Sequence, residues 1–124
     1  RLAAVFSTLQ GLRVPMPPVD VEHAWYKFYS FVQPEALAPG WSRDRIMAEV
    51  NAAGVPCYSG SCSEVYLEKA FDGTGWRPPQ RLAVAKALGE TSLMFLVHPT
   101  LTDEEIEKTG KVVAEVMGRA MEIS

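Results

Sequence analysis

Between His23 and Gln33 the chain places large side chains at both odd and even positions: Trp25, Tyr29 and Phe31 on one parity, Ala24, Tyr26, Phe28 and Val32 on the other. Successive side chains of a strand point to opposite faces, so the segment is predicted to be a β-strand covered on both faces. A lone strand is not stable, so the rest of the chain must supply partners and cover. Lys27 is the single charge within the run, and its ammonium must reach solvent, a carboxylate or a ligand.

The remaining segments fit that demand. Ser92 to Val97 is short, apolar and stopped before Pro99, as expected of a buried strand. Leu2, Val5, Phe6, Leu9 and Leu12 recur at helical spacing until Gly11 and Pro15, and Met16-Pro17-Pro18 follows as an extended connector. Ser42 is placed to cap a helix running to about Ala53, with Ile46, Met47, Val50 and Ala53 on one face and Gly54 ending it. Glu64 to Phe71 reads as a short helix and Asp72-Gly73-Thr74-Gly75 as a loop. Pro78 and Pro79 are placed to open another helix, with a stripe of Leu82, Ala85 and Leu88 ended by Gly89. Thr102 and Glu105 form a capping box ahead of a long helix whose stripe is Ile106, Val113, Val116, Met117 and Ala120. The order predicts an α+β fold: a small antiparallel sheet with helices packed mainly on one face.

Length and charge narrow the function. The 124 residues suit a single core. A net charge of −3, with Lys and Arg scattered among carboxylates, argues against nucleic acid as partner. The longest apolar run, Leu93 to Val97, is far short of the roughly 20 residues of a membrane-spanning helix. Cys57 and Cys62 suit neither a disulfide scaffold nor a four-ligand zinc site, so no metal is expected and reduced thiols in a cytoplasmic protein are. Arg1 opens inside a helical pattern without an initiator methionine, and the sequence is expected to be a piece of a longer protein.

No catalytic group stands out. His23 and His98 each have a structural explanation at a strand end, and nothing near Cys57 would lower its thiol pKa. Glu64 and Glu68, four residues apart, read as a solvated helical face. Gly54 to Gly60 lacks any phosphate-loop pattern. The aromatic strand is better explained by packing than by base stacking, because no basic run accompanies it. The segment least explained by packing is Val55 to Ser63, whose small polar residues can bring backbone donors close to a partner.

Taken in order, these pieces resemble the C-terminal domain of the DegT/DnrJ/EryC1/StrS aminotransferases, which make amino sugars. The likeness rests on Leu12-Arg13-Val14-Pro15, the aromatic strand His23 to Tyr29, and Arg43-Asp44-Arg45-Ile46 opening a helix that ends at Ala53-Gly54-Val55. It continues with the helix of Pro79 to Ala87 and with Ser92-Leu93 through His98-Pro99-Thr100-Leu101-Thr102. The resemblance implies residues 1–14 as the end of an inter-domain helix and 15–124 as the small domain of a homodimeric enzyme. That enzyme would bind pyridoxal phosphate as a Schiff base to a lysine and move an amino group from glutamate to a keto sugar nucleotide.

In the family that lysine belongs to the large N-terminal domain. None of Lys27, Lys69, Lys86, Lys108 or Lys111 matches its position, so no catalytic or cofactor-binding residue is assigned to this chain. Many relatives carry His-Tyr-Pro where this chain has Cys57-Tyr58-Ser59-Gly60-Ser61-Cys62. Tyr58, Ser59, Ser61 and Cys62 are the candidate substrate wall, with Tyr26 and Lys27 as further candidates from the strand. Two other readings stay open: a non-catalytic module recognising a sugar nucleotide or a protein partner, and a relative that dehydrates a sugar.

Overall fold

The computed structural model describes residues 1–122. Its sheet is built around two long strands, β2 (Lys27–Val32) and β4 (Ser92–Leu96), paired antiparallel from Lys27 opposite Leu96 to Phe31 opposite Ser92. Two-residue strands flank them: β1 (Leu12–Arg13) on β2 and β3 (Cys57–Tyr58) on β4, giving the antiparallel order β1-β2-β4-β3. The α+β expectation therefore holds.

The register divides the sheet into two unlike faces. Leu12, Phe28, Val32, Leu93, Phe95 and Cys57 point to one side and are buried. They pack against α1 (Leu2–Phe6), α2 (Arg43–Ala52) and α4 (Asp103–Met121) through Phe6, Ile46, Val50, Val113, Val116, Met117 and Ala120. Phe6 anchors this side edge-on to Phe28 and Phe95, at centroid separations of 5.5 and 5.1 Å. Such pairs add roughly 0.5–1.5 kcal/mol each beyond their burial. Arg13, Lys27, Tyr29, Phe31, Met94 and Tyr58 share the opposite face.

Local chemistry sets the helix starts. Ser42 accepts from the Arg45 backbone N–H at 3.2 Å and begins α2. Thr102 and Glu105 close the expected capping box on α4, a feature worth about 1 kcal/mol. Gly54, at φ +77, follows the end of α2.

Four sequence boundaries shift, each for a visible reason. The strand begins at Lys27 rather than His23, because Trp25 adopts φ +48 and its N–H donates to His23 Nδ1 at 2.8 Å, which breaks the extended run. The first helix stops at Phe6, and Leu12 is drawn into β1 opposite Val32.

Residues 64–71 form two 3-10 turns, Val65–Leu67 and Lys69–Phe71, with Glu68 extended between them. There Arg77 takes the carbonyls of Tyr66, Leu67 and Glu68, which a helix would have used as acceptors. Helix α3 (Ala83–Thr91) starts well past Pro78 and Pro79 and runs through Gly89 into β4. Leu82 stays outside it and exposed, its N–H donating to Tyr66 Oη at 2.9 Å. Arg43 closes the end of α3 by donating to the carbonyls of Gly89 and Ser92 at 3.1 and 2.9 Å.

Candidate functional site

After β3 the chain folds back over the outward face of the sheet. Asn51, in the last turn of α2, fixes the start of this return: its Nδ2 donates to the Cys57 carbonyl at 2.7 Å and its Oδ1 accepts from the Cys57 N–H at 3.2 Å. The Ser92 hydroxyl then donates to the Ser59 carbonyl. Gly60 lies directly on the ring of Tyr29: a Cβ there would sit 2.6 Å from Cε1, and φ is +92. Only glycine meets both conditions without strain. One residue on, Ser61 Oγ lies 3.3 Å from Tyr29 Oη.

The turn contributes Ser59, Ser61 and Cys62 to the lining of a groove of about 350 Å³, which Glu68, Lys86 and Glu90 also line. Ser63 and Gly89 close its floor, where a Cβ on Gly89 would meet Ser63 Oγ at 2.2 Å. Glycine here therefore serves close approach of turn to helix, not the helix stop expected of it.

A second set of contacts holds the groove's rim. Arg81 grips Glu64 with two guanidinium nitrogens, and Tyr66 Oη donates to Glu64 Oε1 at 2.6 Å. The Arg81 guanidinium and then the Tyr66 hydroxyl hold the Glu64 carboxyl down at about 2. Glu64 is thus an anchored carboxylate, not the solvated helical face read from its spacing to Glu68. Cys62 Sγ lies 3.5 Å from Glu68 Oε1. Glu64 is paired with Arg81, and Lys86 Nζ lies 3.9 Å from Glu90, so most of the charge at the groove is matched within the chain. The lining hydroxyls and carboxylates can pair with hydroxyl or amino groups.

The structure brings Ser59, Ser61 and Cys62 together in one groove, whose lining does not include Tyr58, Tyr26 or Lys27. Tyr58 and Tyr29 both lie opposite Met94 on the outward face. Lys27 stands two residues from Tyr29 on the same face, its Nζ 5.2 Å from the centroid of the exposed Tyr26 ring. Cys57 is not with them: it lies in the core, where burial pushes its thiol up to about 12 against a smaller lowering by Arg43. His98 Nδ1 is engaged with Thr100 Oγ1 at 2.7 Å.

Tyr29, Glu64, Lys86 and Glu90 were absent from the sequence expectation of the site. Tyr29 carried a signal, since it shares a face with Lys27. The other three reach the groove through contacts 17 or more positions apart in the chain or by the late start of α3, which no local pattern reveals.

A pyridoxal phosphate site needs a lysine amine beside a phosphate cradle and a partner for the ring nitrogen. Lys27 rests on Tyr26, Lys86 Nζ is 3.9 Å from Glu90, and Lys108 Nζ donates to the Gly54 carbonyl at 3.1 Å. Lys69 and Lys111 are exposed. Among the described residues, none of these amines sits in such a setting.

The family model for the DegT/DnrJ/EryC1/StrS aminotransferases matches residues 1–116. Among solved structures the chain is similar to an aminotransferase from Psychrobacter cryohalolentis, with 54% identity, a TM-score of 0.89, and coverage of 98% of this chain and 32% of that one. It shares its fold with the aminotransferase TlmJ from Streptoalloteichus hindustanus (21% identity, TM-score 0.77, covering 95% and 29%). The same holds for a DegT DnrJ EryC1 StrS aminotransferase from Brucella abortus (21% identity, TM-score 0.75, covering 95% and 29%). The chain thus spans about a third of the length of these structures. A comparison with curated proteins gives no match. Among the described residues no helix is long and apolar enough to cross a membrane. With its family model matched along nearly its whole length, the chain belongs to the DegT/DnrJ/EryC1/StrS aminotransferase family.

Proposed function

We propose that this chain is the small C-terminal unit, residues 15–124 with the end of an inter-domain helix before it, of a cytoplasmic, homodimeric aminotransferase. The whole enzyme transfers an amino group from glutamate to a keto sugar nucleotide. Pyridoxal phosphate, held by polypeptide outside this chain, supplies the electron sink for the transfer. The family match over residues 1–116 carries the reading.

In this reading the chain's own residues close one wall of the substrate pocket. The sugar lies along the Ser59 to Cys62 turn, where the Ser61 hydroxyl and the backbone next to Gly60 offer neutral hydrogen-bonding groups. Tyr58, Tyr26 and Lys27 contact more distant parts of the substrate.

The test uses the full-length protein loaded with pyridoxal phosphate. Adding glutamate alone is expected to shift the cofactor's absorbance, and adding a keto sugar nucleotide is expected to restore it with amino sugar formed. No shift on adding glutamate would overturn the aminotransferase reading, and water release from the sugar without amino transfer would favour a dehydratase.

A further inference from the structure

The turn that crosses the outward face is held at Ser59 and at Ser63 by the junction where α3 runs into β4. Helix α3 ends at Thr91 and β4 begins at Ser92, with no loop between them. Two residues of that junction meet the turn. Buried Ser92 donates its hydroxyl to the Ser59 carbonyl, and Gly89 lies against Ser63 with no room left for a Cβ.

One side chain from a third element reaches both of these residues. The Ser42 cap sets Arg43 at the first position of α2. From there Arg43 Nη1 donates to the Gly89 carbonyl at 3.1 Å and to the Ser92 carbonyl at 2.9 Å, while Nε donates to Asp44 Oδ1 at 2.7 Å. Its side chain is 16% exposed, against 37% or more for the other ion-paired arginines among the described residues. This guanidinium is turned into the fold and not out to solvent.

The last carbonyls of a helix have no donor within it, and a strand that starts at once leaves no loop to supply one. Arg43 supplies it with a rigid, permanently charged group. The two carbonyls it binds belong to the same two residues that touch the turn at Ser59 and Ser63, so any shift of the junction would move both contacts together. The start of the turn is tied to the same helix, through Asn51 on Cys57. Helix α2 thus holds the turn twice: directly at Cys57, and through Arg43 and the junction further along.

We infer that Arg43 and Ser92 are positioning residues for the substrate wall: Arg43 fixes the α3 to β4 junction, and Ser92 passes that placement to the Ser59 to Cys62 turn. The inference rests on the proposed function for the role of the turn. Neither side chain lines the groove, so both act through the backbone they hold and not by touching substrate.

A double-mutant cycle in the full-length enzyme tests it, with Ser92→Ala, Arg43→Met and the pair. Two quantities are read: KM for the keto sugar nucleotide against the rate of the glutamate half-reaction, and amide hydrogen exchange of peptides covering residues 57–63. Each single variant is expected to raise the sugar KM about five- to tenfold, the factor one hydrogen bond carries, and to leave the glutamate half-reaction within about twofold of the wild type. Each should also speed exchange in the turn about tenfold. The pair should do no more than the worse single variant, because groups acting along one chain of contacts are not additive. Arg43→Lys, which keeps a charge and a donor, should fall between the wild type and Arg43→Met, and it carries the cycle if Arg43→Met does not fold. Unchanged sugar KM, unchanged exchange, additive effects or an equal loss in the glutamate half-reaction would each overturn the inference. Exchange needs no reaction, so the two failures separate. A wild type that ignores glutamate loses the aminotransferase reading, and the exchange cycle alone then decides the positioning link. A wild type that responds to glutamate, with variants that leave the turn's exchange unchanged, loses only the positioning.

Discussion

Tyr29 Oη and Ser61 Oγ lie 3.3 Å apart, joining the middle of a central strand to the turn that crosses it. Gly60 makes the approach possible by resting its backbone on the tyrosine ring. Alanine at Gly60 would face both a positive φ, costing roughly 1–2 kcal/mol, and a ring at 2.6 Å. Gly60→Ala is therefore expected to lower the melting temperature by several degrees and to raise KM for the sugar substrate of the full-length enzyme. The glutamate half of the reaction serves as its comparison. An unchanged KM would remove the turn from the substrate wall.

Ser61→Ala tests the same wall with little disturbance. It removes one exposed hydroxyl contact, worth about 0.5–1.5 kcal/mol at most. Stability should stay within roughly 0.5 kcal/mol of the wild type, as for surface changes generally. Sugar-nucleotide affinity should fall severalfold while cofactor affinity is unchanged. Equal loss of both would show that the turn acts on the cofactor side.

Acid should loosen the groove through Glu64. Its carboxyl sits at about 2 in the folded chain against an ordinary 4.5, because Arg81 and Tyr66 favour the charged form. The depressed value means that the Glu64 contribution is fully present above about pH 4.5 and is lost as pH falls toward 2. Melting temperatures measured from pH 7 to pH 2 should therefore drop more steeply for the wild type than for Glu64→Gln, whose curve begins lower. Parallel curves would show that the Arg81 pairing adds nothing to stability.

How much of this was legible follows from how far apart the deciding groups are in the chain. The caps at Ser42 and Thr102 are settled within three residues, and both were readable. So was the long period-2 core of β2, while β1 and β3, at two residues each, are too short to show a period. Residues 64–82 were misread because Arg77 and Arg81 reach back 9 to 17 positions to capture carbonyls and a carboxylate. Local propensity cannot register such competition. The turn at Trp25 was not legible, since no sequence rule assigns a positive φ to tryptophan.

The two cysteines should react very differently. Cys62 is exposed, whereas Cys57 is buried at 2% and its thiol is pushed up to about 12. The thiolate is the reactive species. At pH 8, iodoacetamide followed by peptide mapping is expected to label Cys62 within minutes and Cys57 only after denaturation. Equal labelling of both in the native protein would place β3 and its Asn51 clasp in an opened state.

Ser30 offers a test of the core. It lies on the buried face of β2 opposite Leu93, with 0% exposure, and its hydroxyl has no hydrogen-bond partner among the described residues. Leaving a buried hydroxyl unsatisfied costs about 1–3 kcal/mol, and removing it recovers that cost less the packing of one oxygen atom. Ser30→Ala is thus expected to raise stability by about 1 kcal/mol, a gain of a few degrees in melting temperature for a domain of this size. Ser30→Val adds volume at a fully buried position opposite Leu93, and overpacking of that kind costs about 1–3 kcal/mol. Thermal melts of the two variants should therefore move in opposite directions. A loss of stability in Ser30→Ala would mean that the hydroxyl is satisfied, by the backbone of its own strand or by a bound water.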